Sequence, residues 1–130
     1  MSFENEEIIE NKSFENKIKA LESRLLLKYT CIGKGRSRSG YAISSYSILK
    51  VPSVPEGQFD NFIESKTFKE NNENIARCRL VLIDDIQCLL MERLNTDIPS
   101  NYDFPDWSYC IDCFQVGFDR KGNLKAYDYA

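Results

Sequence analysis

The chain has 130 residues, a formal net charge of -3 and a sequence pI near 5.1, with 42% hydrophobic and 28% charged residues. This length suits one domain, so we expect residues 1–130 to form a single α+β domain. The acidic balance lacks the positive field that nucleic-acid binding needs, and nucleic acid is therefore not an expected partner. No apolar run approaches the roughly 20 residues that span a bilayer, and the acidic start is unlike a secretion signal. We expect a cytoplasmic protein without a membrane partner.

The residue inventory narrows the chemistry further. The chain contains no histidine, which excludes Ser/His and Cys/His nucleophile pairs and His-ligated metal sites. Its five cysteines form an odd set without a secretion signal, which favours reduced thiols in the core. Cys110 and Cys113 have the C-x-x-C spacing of zinc and redox sites, but zinc normally needs further ligands. We expect no metal at this pair.

The first part of the chain predicts a helix followed by strands. Apolar residues at helical spacing predict a helix over about residues 5–25, and they are Phe14, Ile18, Leu21 and Leu25. Residues 26–32 favour a strand that leads into a flexible turn rich in glycine and serine at 33–40. Two further strands are predicted around 41–43 and 48–51.

The middle of the chain predicts a second helix and an antiparallel strand pair. The helix spans about residues 58–71, where an approximate apolar stripe consists of Phe59, Phe62, Ile63 and Phe68. Short apolar runs at 80–83 and 88–91 flank the polar turn Asp84-Asp85, as in a hairpin. The sheet and helix core should therefore span about residues 26–94.

The last part of the chain predicts a surface loop and a hairpin. Residues 95–109 contain two prolines among scattered Asn and Asp, which is typical of a surface loop. Residues 110–130 read as a hairpin that turns at 119–123, where Gly122 can supply the positive φ of a tight turn. Together the elements predict a mostly antiparallel sheet with flanking helices.

The order of these elements resembles the nucleotide-binding lobe of the protein-kinase-like fold. Residues 32–41, Ile-Gly-Lys-Gly-Arg-Ser-Arg-Ser-Gly-Tyr, look like a glycine-rich loop that covers phosphates. Residues 48–51, Ile-Leu-Lys-Val, look like the third strand with its lysine. The resemblance implies that Gly33 and Gly35 approach a nucleotide and that Lys50 binds its phosphates.

The resemblance also assigns two acidic residues. It pairs Lys50 with Glu64 on the following helix, although these two could equally form a structural pair that joins helix to sheet. Residues 116–129 resemble the strand pair that leads to the metal-binding Asp of a DFG-type motif, for which Asp128 is the candidate. If the nucleotide site is intact, ATP and Mg²⁺ are the implied cofactors.

The same comparison marks what is missing for catalysis. Cys110 and Gln115 stand where the family has its catalytic Asp and its metal-binding Asn. The sequence ends two residues after Asp128, so the activation segment and the helical substrate lobe of the family would be absent. The resemblance therefore implies a reduced, pseudokinase-like domain.

Two other patterns point to different functions. Pro105-Asp106 followed by Asp119-Arg120-Lys121 imitates a motif of metal-dependent nucleases, but the predicted turn would misplace the lysine. Tyr102, Phe104 and Trp107 lie in a loop with acids and proline, a composition that supplies anchors in protein recognition. The same loop could instead fold back on the sheet.

We therefore expect a non-catalytic regulator or inhibitor that binds another protein and uses no cofactor. Residue usage rich in Asn, Lys, Ile and Glu is compatible with an AT-rich bacterial or phage genome. The alternative is a minimal phosphotransferase or nucleotide-binding protein that uses ATP and Mg²⁺.

Overall fold

The structure is a computed structural model that describes residues 3–71, 73–111 and 115–128. Within these ranges the elements in chain order are α1 (Phe3–Leu26), β1 (Thr30–Lys34), β2 (Arg38–Ala42), β3 (Ser47–Pro52), α2 (Glu56–Glu70), β4 (Cys78–Ile83), β5 (Ile86–Glu92), β6 (Val116–Phe118) and β7 (Leu124–Ala126). Five strands form one sheet in the order β1-β2-β3-β5-β4, and β6 pairs with β7. Every strand pair is antiparallel. The predicted α+β class with a mostly antiparallel sheet and flanking helices is confirmed.

Helix α1 covers one face of the sheet, because its apolar residues fall on a single helical stripe. The buried residues of this cluster are Ile18, Leu21, Leu25, Tyr41, Leu49, Val51, Ile86 and Cys88. Phe14 packs against the same cluster. The predicted apolar face of the first helix is thus confirmed.

Two boundaries near the start of the sheet differ from the prediction. The strand predicted over 26–32 begins only at Thr30, because the end of α1 and its closing turn take the residues before it. The turn predicted over 33–40 is shorter, and only residues 35–37 connect β1 to β2. The cause is the ladder with β3, which holds the whole of β2 in register despite its serine and glycine.

Helix α2 covers the other face, and only part of the predicted apolar stripe packs there. Phe68 packs against a buried cluster that includes Leu89 and Met91, whereas Phe59 and Phe62 are 64% and 45% exposed. The buried residues of the helix are instead Gly57, Asn61, Glu64 and Ser65. A polar helix face is stable there because the sheet beneath it presents charged side chains and free carbonyls, which form the site described below.

Both predicted tight turns are confirmed. Asp84 and Asp85, between β4 and β5, have φ of 52° and 65°, which fits a two-residue hairpin turn. Gly122, between β6 and β7, has φ of 86°. The described part of the connection before β6 contains a 3₁₀ turn, Asp106–Cys110. In the part of the chain that the structure describes, no helix is both long enough and apolar enough to cross a membrane.

Candidate functional site

An open cleft of about 1210 Å³ lies on the α2 side of the sheet, between the β1–β2 hairpin, the start of α2 and the C-terminal tail. Its charged lining residues are Lys34, Arg36, Arg38, Lys50, Glu56, Asp60 and Asp128. Both signs are present, and the innermost charges are paired with one another. This pairing defines what the cleft can bind.

The centre of the pairing is Glu64, a fully buried acid on α2. Lys50, in the middle of β3, directs its Nζ to the two carboxylate oxygens at 3.2 and 3.0 Å. The same Nζ donates to the backbone carbonyl of Tyr127 at 2.6 Å. Lys50 therefore joins the sheet to both α2 and the C-terminal tail.

Arg38 is a second cation on the same carboxylate. Its guanidinium donates to Glu64 Oε1 at 2.5 Å and to Asp128 Oδ1 at 3.1 Å. Arg38 and Lys50 share a sheet face because β2 and β3 pair with Gly40 opposite Lys50, and side chains alternate along a strand. One guanidinium thus bridges the two carboxylates that the resemblance assigned to nucleotide binding.

Asn61 completes the buried polar layer under α2. Its amide oxygen accepts from Arg38 at 3.1 Å, and its amide nitrogen donates to the carbonyls of Lys50 and Gln87 at 3.3 and 2.8 Å. These bonds satisfy carbonyls that the helix would otherwise bury, which explains why an Asn occupies a fully buried helix position.

The start of α2 fits tightly against the strands. A Cβ added to Gly57 would lie 2.6 Å from Pro52 Cβ and closer still to the carbonyl oxygen of Ser37. Ser37 also donates to the carboxylate of Asp60 at 2.5 Å. The helix can therefore approach the β1–β2 connection only because residue 57 has no side chain.

Burial governs the electrostatics of this site. It lowers the pKa of Lys50 below its ordinary value, and the Glu64 carboxylate opposes that shift. Burying charges costs free energy that only good geometry and further hydrogen bonds offset. Because Lys50 donates to three oxygens and Arg38 to three, the network meets that condition.

The structure places the five residues assigned to a nucleotide around the same cleft, but the two glycines lie apart from the three charged residues. Gly33 and Gly35 line the outer part of the cleft. Gly33 is part of β1, and Gly35 donates its backbone N–H to the carbonyl of Arg38 at 2.8 Å. Lys50, Glu64 and Asp128 meet at the inner end, as the geometry above describes.

The residues assigned to partner binding lie in an apolar cluster around the β6–β7 hairpin. Tyr102, Phe104 and Trp107 are partly buried against β6 and β7, and the Tyr102 ring meets those of Phe104 and Phe118 edge to face at 5.0 and 5.1 Å. The loop therefore folds back on the C-terminal hairpin. Their assignment to a partner stays a prediction.

The metal and nuclease patterns can be placed only in part. Cys113 and the side chain of Cys110 lie outside the described residues, and among those described no group of acids and cysteines could hold a metal ion. Asp119 forms the predicted turn, where its carboxylate accepts from the backbone N–H groups of Lys121 and Asn123 at 2.9 and 2.8 Å. The lysine of the nuclease-like pattern is thus part of a turn, as expected.

Sequence reasoning missed the roles of Arg38 and Asn61. The sequence alone predicts that Arg38 belongs to the flexible turn, because the glycines and serines around it obscure the strand. The signal that could have found it is strand alternation, which places Arg38, Gly40 and Ala42 on one face. Asn61 has no comparable signal, because polar residues on a helix usually face solvent.

Comparisons with known proteins give this chain no relatives. No model of a known protein family matches it, and neither curated protein sequences nor solved structures show a significant match.

Proposed function

We propose that this chain is a non-catalytic regulator or inhibitor that acts in the cytoplasm by binding another protein through the cleft. The observation that carries the proposal is the self-neutralised network, in which Arg38 occupies both Glu64 and Asp128. In the family that the sequence resembles, a lysine–glutamate pair accompanies nucleotide binding, but the metal-binding Asp must be free to hold Mg²⁺. Here Asp128, the candidate for that role, is paired with Arg38. The cleft therefore offers a surface rather than a reaction centre.

The rim of the cleft supports a protein as the ligand. Lys34 and Arg36 line it and make no salt bridge within residues 3–71, 73–111 and 115–128. Ile32 and Val54 also line it, and both are exposed. A segment that combines acidic and apolar side chains complements such a rim.

The test is affinity capture from bacterial lysate with a cleft variant and a matched control. We expect the double variant Lys34→Glu/Arg36→Glu to lose a captured protein that the wild type retains. Lys17→Glu/Lys19→Glu makes the same charge change on the exposed side of α1 and should retain it. The captured protein is then purified and its binding to both variants is measured directly. Equal binding by all forms would contradict the cleft as the binding surface.

The second candidate is nucleotide binding, which the presence of Lys50, Glu64 and Asp128 around one cleft favours. Mg-ATP would then stabilise the folded chain by mass action and raise its melting temperature. We expect no such rise. A rise that Lys50→Ala and Asp128→Ala both abolish would favour the nucleotide over the protein partner.

A further inference from the structure

The outer edge of β4 has backbone groups that are free to pair. β4 is the last strand of the sheet and pairs only with β5. Because a two-residue turn connects the two strands, Ile83 and Ile86 exchange backbone hydrogen bonds. Every second residue of β4 before Ile83 exchanges backbone hydrogen bonds with its partner on β5 in the same way. The peptide groups of Leu80 and Leu82 therefore point away from β5, and no backbone bond to them occurs elsewhere in the described part of the chain.

The C-terminal hairpin pairs with the chain just before β4 begins and just after β5 ends. Ala126 donates its N–H to the carbonyl of Asn74 at 2.8 Å and accepts from the N–H of Ala76 at 2.8 Å. Phe118, on the other strand of the hairpin, pairs with Asn95. Within the described residues these contacts end at Ala76 and leave the outer edge of β4 at Leu80 and Leu82 uncovered.

Exposed apolar side chains lie beside the uncovered part. Leu82 is 69% exposed and lies opposite Gln87 in the ladder. The Gln87 carbonyl is bound by the side chain of Asn61, so this part of α2 lies above the end of β4. Phe62 follows Asn61 on the helix and is 45% exposed. Phe62 and Leu82 thus form an apolar patch beside the open edge.

Charges at the two ends of β4 are complementary to each other. Arg77 and Arg79 lie at its start, and neither makes a salt bridge within the described residues. Asp84 and Asp85 lie at its end, where Asp84 is paired with Arg24. An antiparallel second copy of the strand would set the basic start of each copy beside the acidic end of the other.

We propose that a second copy of this chain pairs antiparallel with β4 and joins the two five-stranded sheets into one. With Val81 at the twofold axis, Leu80 lies opposite Leu82 of the second copy and Arg79 lies opposite its Ile83. The basic start of each strand then lies near the Asp84-Asp85 turn of the other copy. A twofold axis perpendicular to the sheet keeps both α2 helices on the same side, so Phe62 and Leu82 of the two copies become buried between them. Backbone pairing gives the register and the apolar patch gives affinity. This dimer does not involve the cleft.

The test is sedimentation velocity of the full chain over a range of concentrations. We expect reversible dimers for the wild type, and for Leu82→Lys a dissociation constant raised about tenfold or more. Leu27→Lys, at an exposed leucine outside the patch, should leave the dimer unchanged. Arg77→Glu should weaken the dimer by placing an acid near the acidic Asp84-Asp85 turn of the other copy. Circular dichroism of each variant shows whether the monomer fold is kept.

Hydrogen exchange provides a readout that only edge pairing would move. The amides of Leu80 and Leu82 should become protected as protein concentration rises, and Leu82→Lys should remove that protection. A wild type that stays monomeric at every concentration would overturn the proposal. So would a dimer in which these two amides exchange freely, or a different protein that binds at Leu82 while the chain alone stays monomeric.

Discussion

Glu64 is the residue around which the cleft is organised. One fully buried carboxylate accepts hydrogen bonds from Lys50 on β3 and Arg38 on β2. The two cations also reach the carbonyl of Tyr127 and the carboxylate of Asp128. A single acid thereby fixes α2 to two strands and, through them, to the C-terminal tail.

Removing the charge of Glu64 should destabilise the fold strongly. In Glu64→Gln, two buried cations lose their shared counter-charge, and breaking a buried pair typically costs about 3–5 kcal/mol. We expect a loss of this size in the free energy of unfolding, measured by urea denaturation.

The matched control is Glu70→Gln on the same helix. Glu70 pairs with Lys66 at 3.9 Å, and both side chains are more than half exposed, so the loss should stay below about 0.5 kcal/mol. Similar losses in the two variants would contradict the central role of Glu64.

Asp119 makes the stability of the fold depend on pH in the acidic range. Burial alone would raise the pKa of Asp119, but hydrogen bonds from Asn123, Lys125 and Lys121 outweigh it and lower the pKa to about 2 from an ordinary 3.8. A carboxyl with a lowered folded pKa adds stability that is complete above its unfolded pKa and is lost as the pH falls through the folded value. The window therefore lies between about pH 4 and pH 2.

We expect Asp119→Asn to reduce the fall in melting temperature across this window, because the variant has no carboxyl to protonate at that position. Melting is followed by circular dichroism at stepped pH. Asp103→Asn removes the same charge from an exposed loop residue and should keep the wild-type dependence. An unchanged dependence in Asp119→Asn would show that the turn does not hold the carboxylate as described.

At the scale of elements, the closest packing lies where α2 meets the β1–β2 connection. Gly57→Ala should destabilise the protein by about 1–3 kcal/mol, because the new methyl group would overlap Pro52 and the Ser37 carbonyl. The better helix propensity of alanine, about 1 kcal/mol at most, is too small to offset this.

Gly33→Ala is the control for that prediction. A Cβ at Gly33 has no neighbour within 4 Å, so the unfolding midpoint in urea should barely change. If Gly57→Ala proved neutral or stabilising, α2 would have to sit farther from the strands than the structure shows.

The elements that the sequence predicted well are those with a strong periodic or turn signal. The stripe of Ile18, Leu21 and Leu25 identified both α1 and its buried face. The Asp84-Asp85 turn identified the β4–β5 hairpin, since few residue types tolerate positive φ. An element whose signal lies in residues close together in the sequence can therefore be predicted from those residues.

Helix α2 shows why the site could be predicted only in part. The sequence predicts the helix, and the resemblance implies the Lys50–Glu64 contact, but of the predicted apolar stripe Phe68 packs on the core while Phe59 and Phe62 are exposed. Its orientation follows from charges and carbonyls on three strands that are distant in sequence, with Arg38 26 residues from Glu64. Hydrophobic periodicity cannot indicate a helix that packs on a polar layer.

At the scale of the whole molecule, the two faces of the sheet have different chemistry. The α1 face is an apolar core, whereas the α2 face combines a smaller apolar cluster with the ion-pair network. Two contacts hold the β6–β7 hairpin against the main sheet. Lys125 pairs with Glu92 at 2.8 Å, and Arg120 lies 3.9 Å from the Tyr46 ring centre. The hairpin in turn positions the tail that supplies Asp128.

This arrangement leads to the prediction that the protein alone does not turn over ATP. Phosphoryl transfer depends almost entirely on positioning and on stabilising charge, so the carboxylate of Asp128 would have to be free to hold Mg²⁺ and Lys50 would have to reach a phosphate. Here Arg38 is paired with Asp128, and Lys50 donates to the Tyr127 carbonyl as well as to Glu64. The resemblance also places Cys110 and Gln115 at the positions of the acceptor-orienting acid and a metal ligand. We expect no phosphate release and no autophosphorylation above background with Mg²⁺ or Mn²⁺. The assay is run beside Lys50→Ala and Asp128→Ala, and activity in the wild type that both substitutions abolish would establish an enzyme instead.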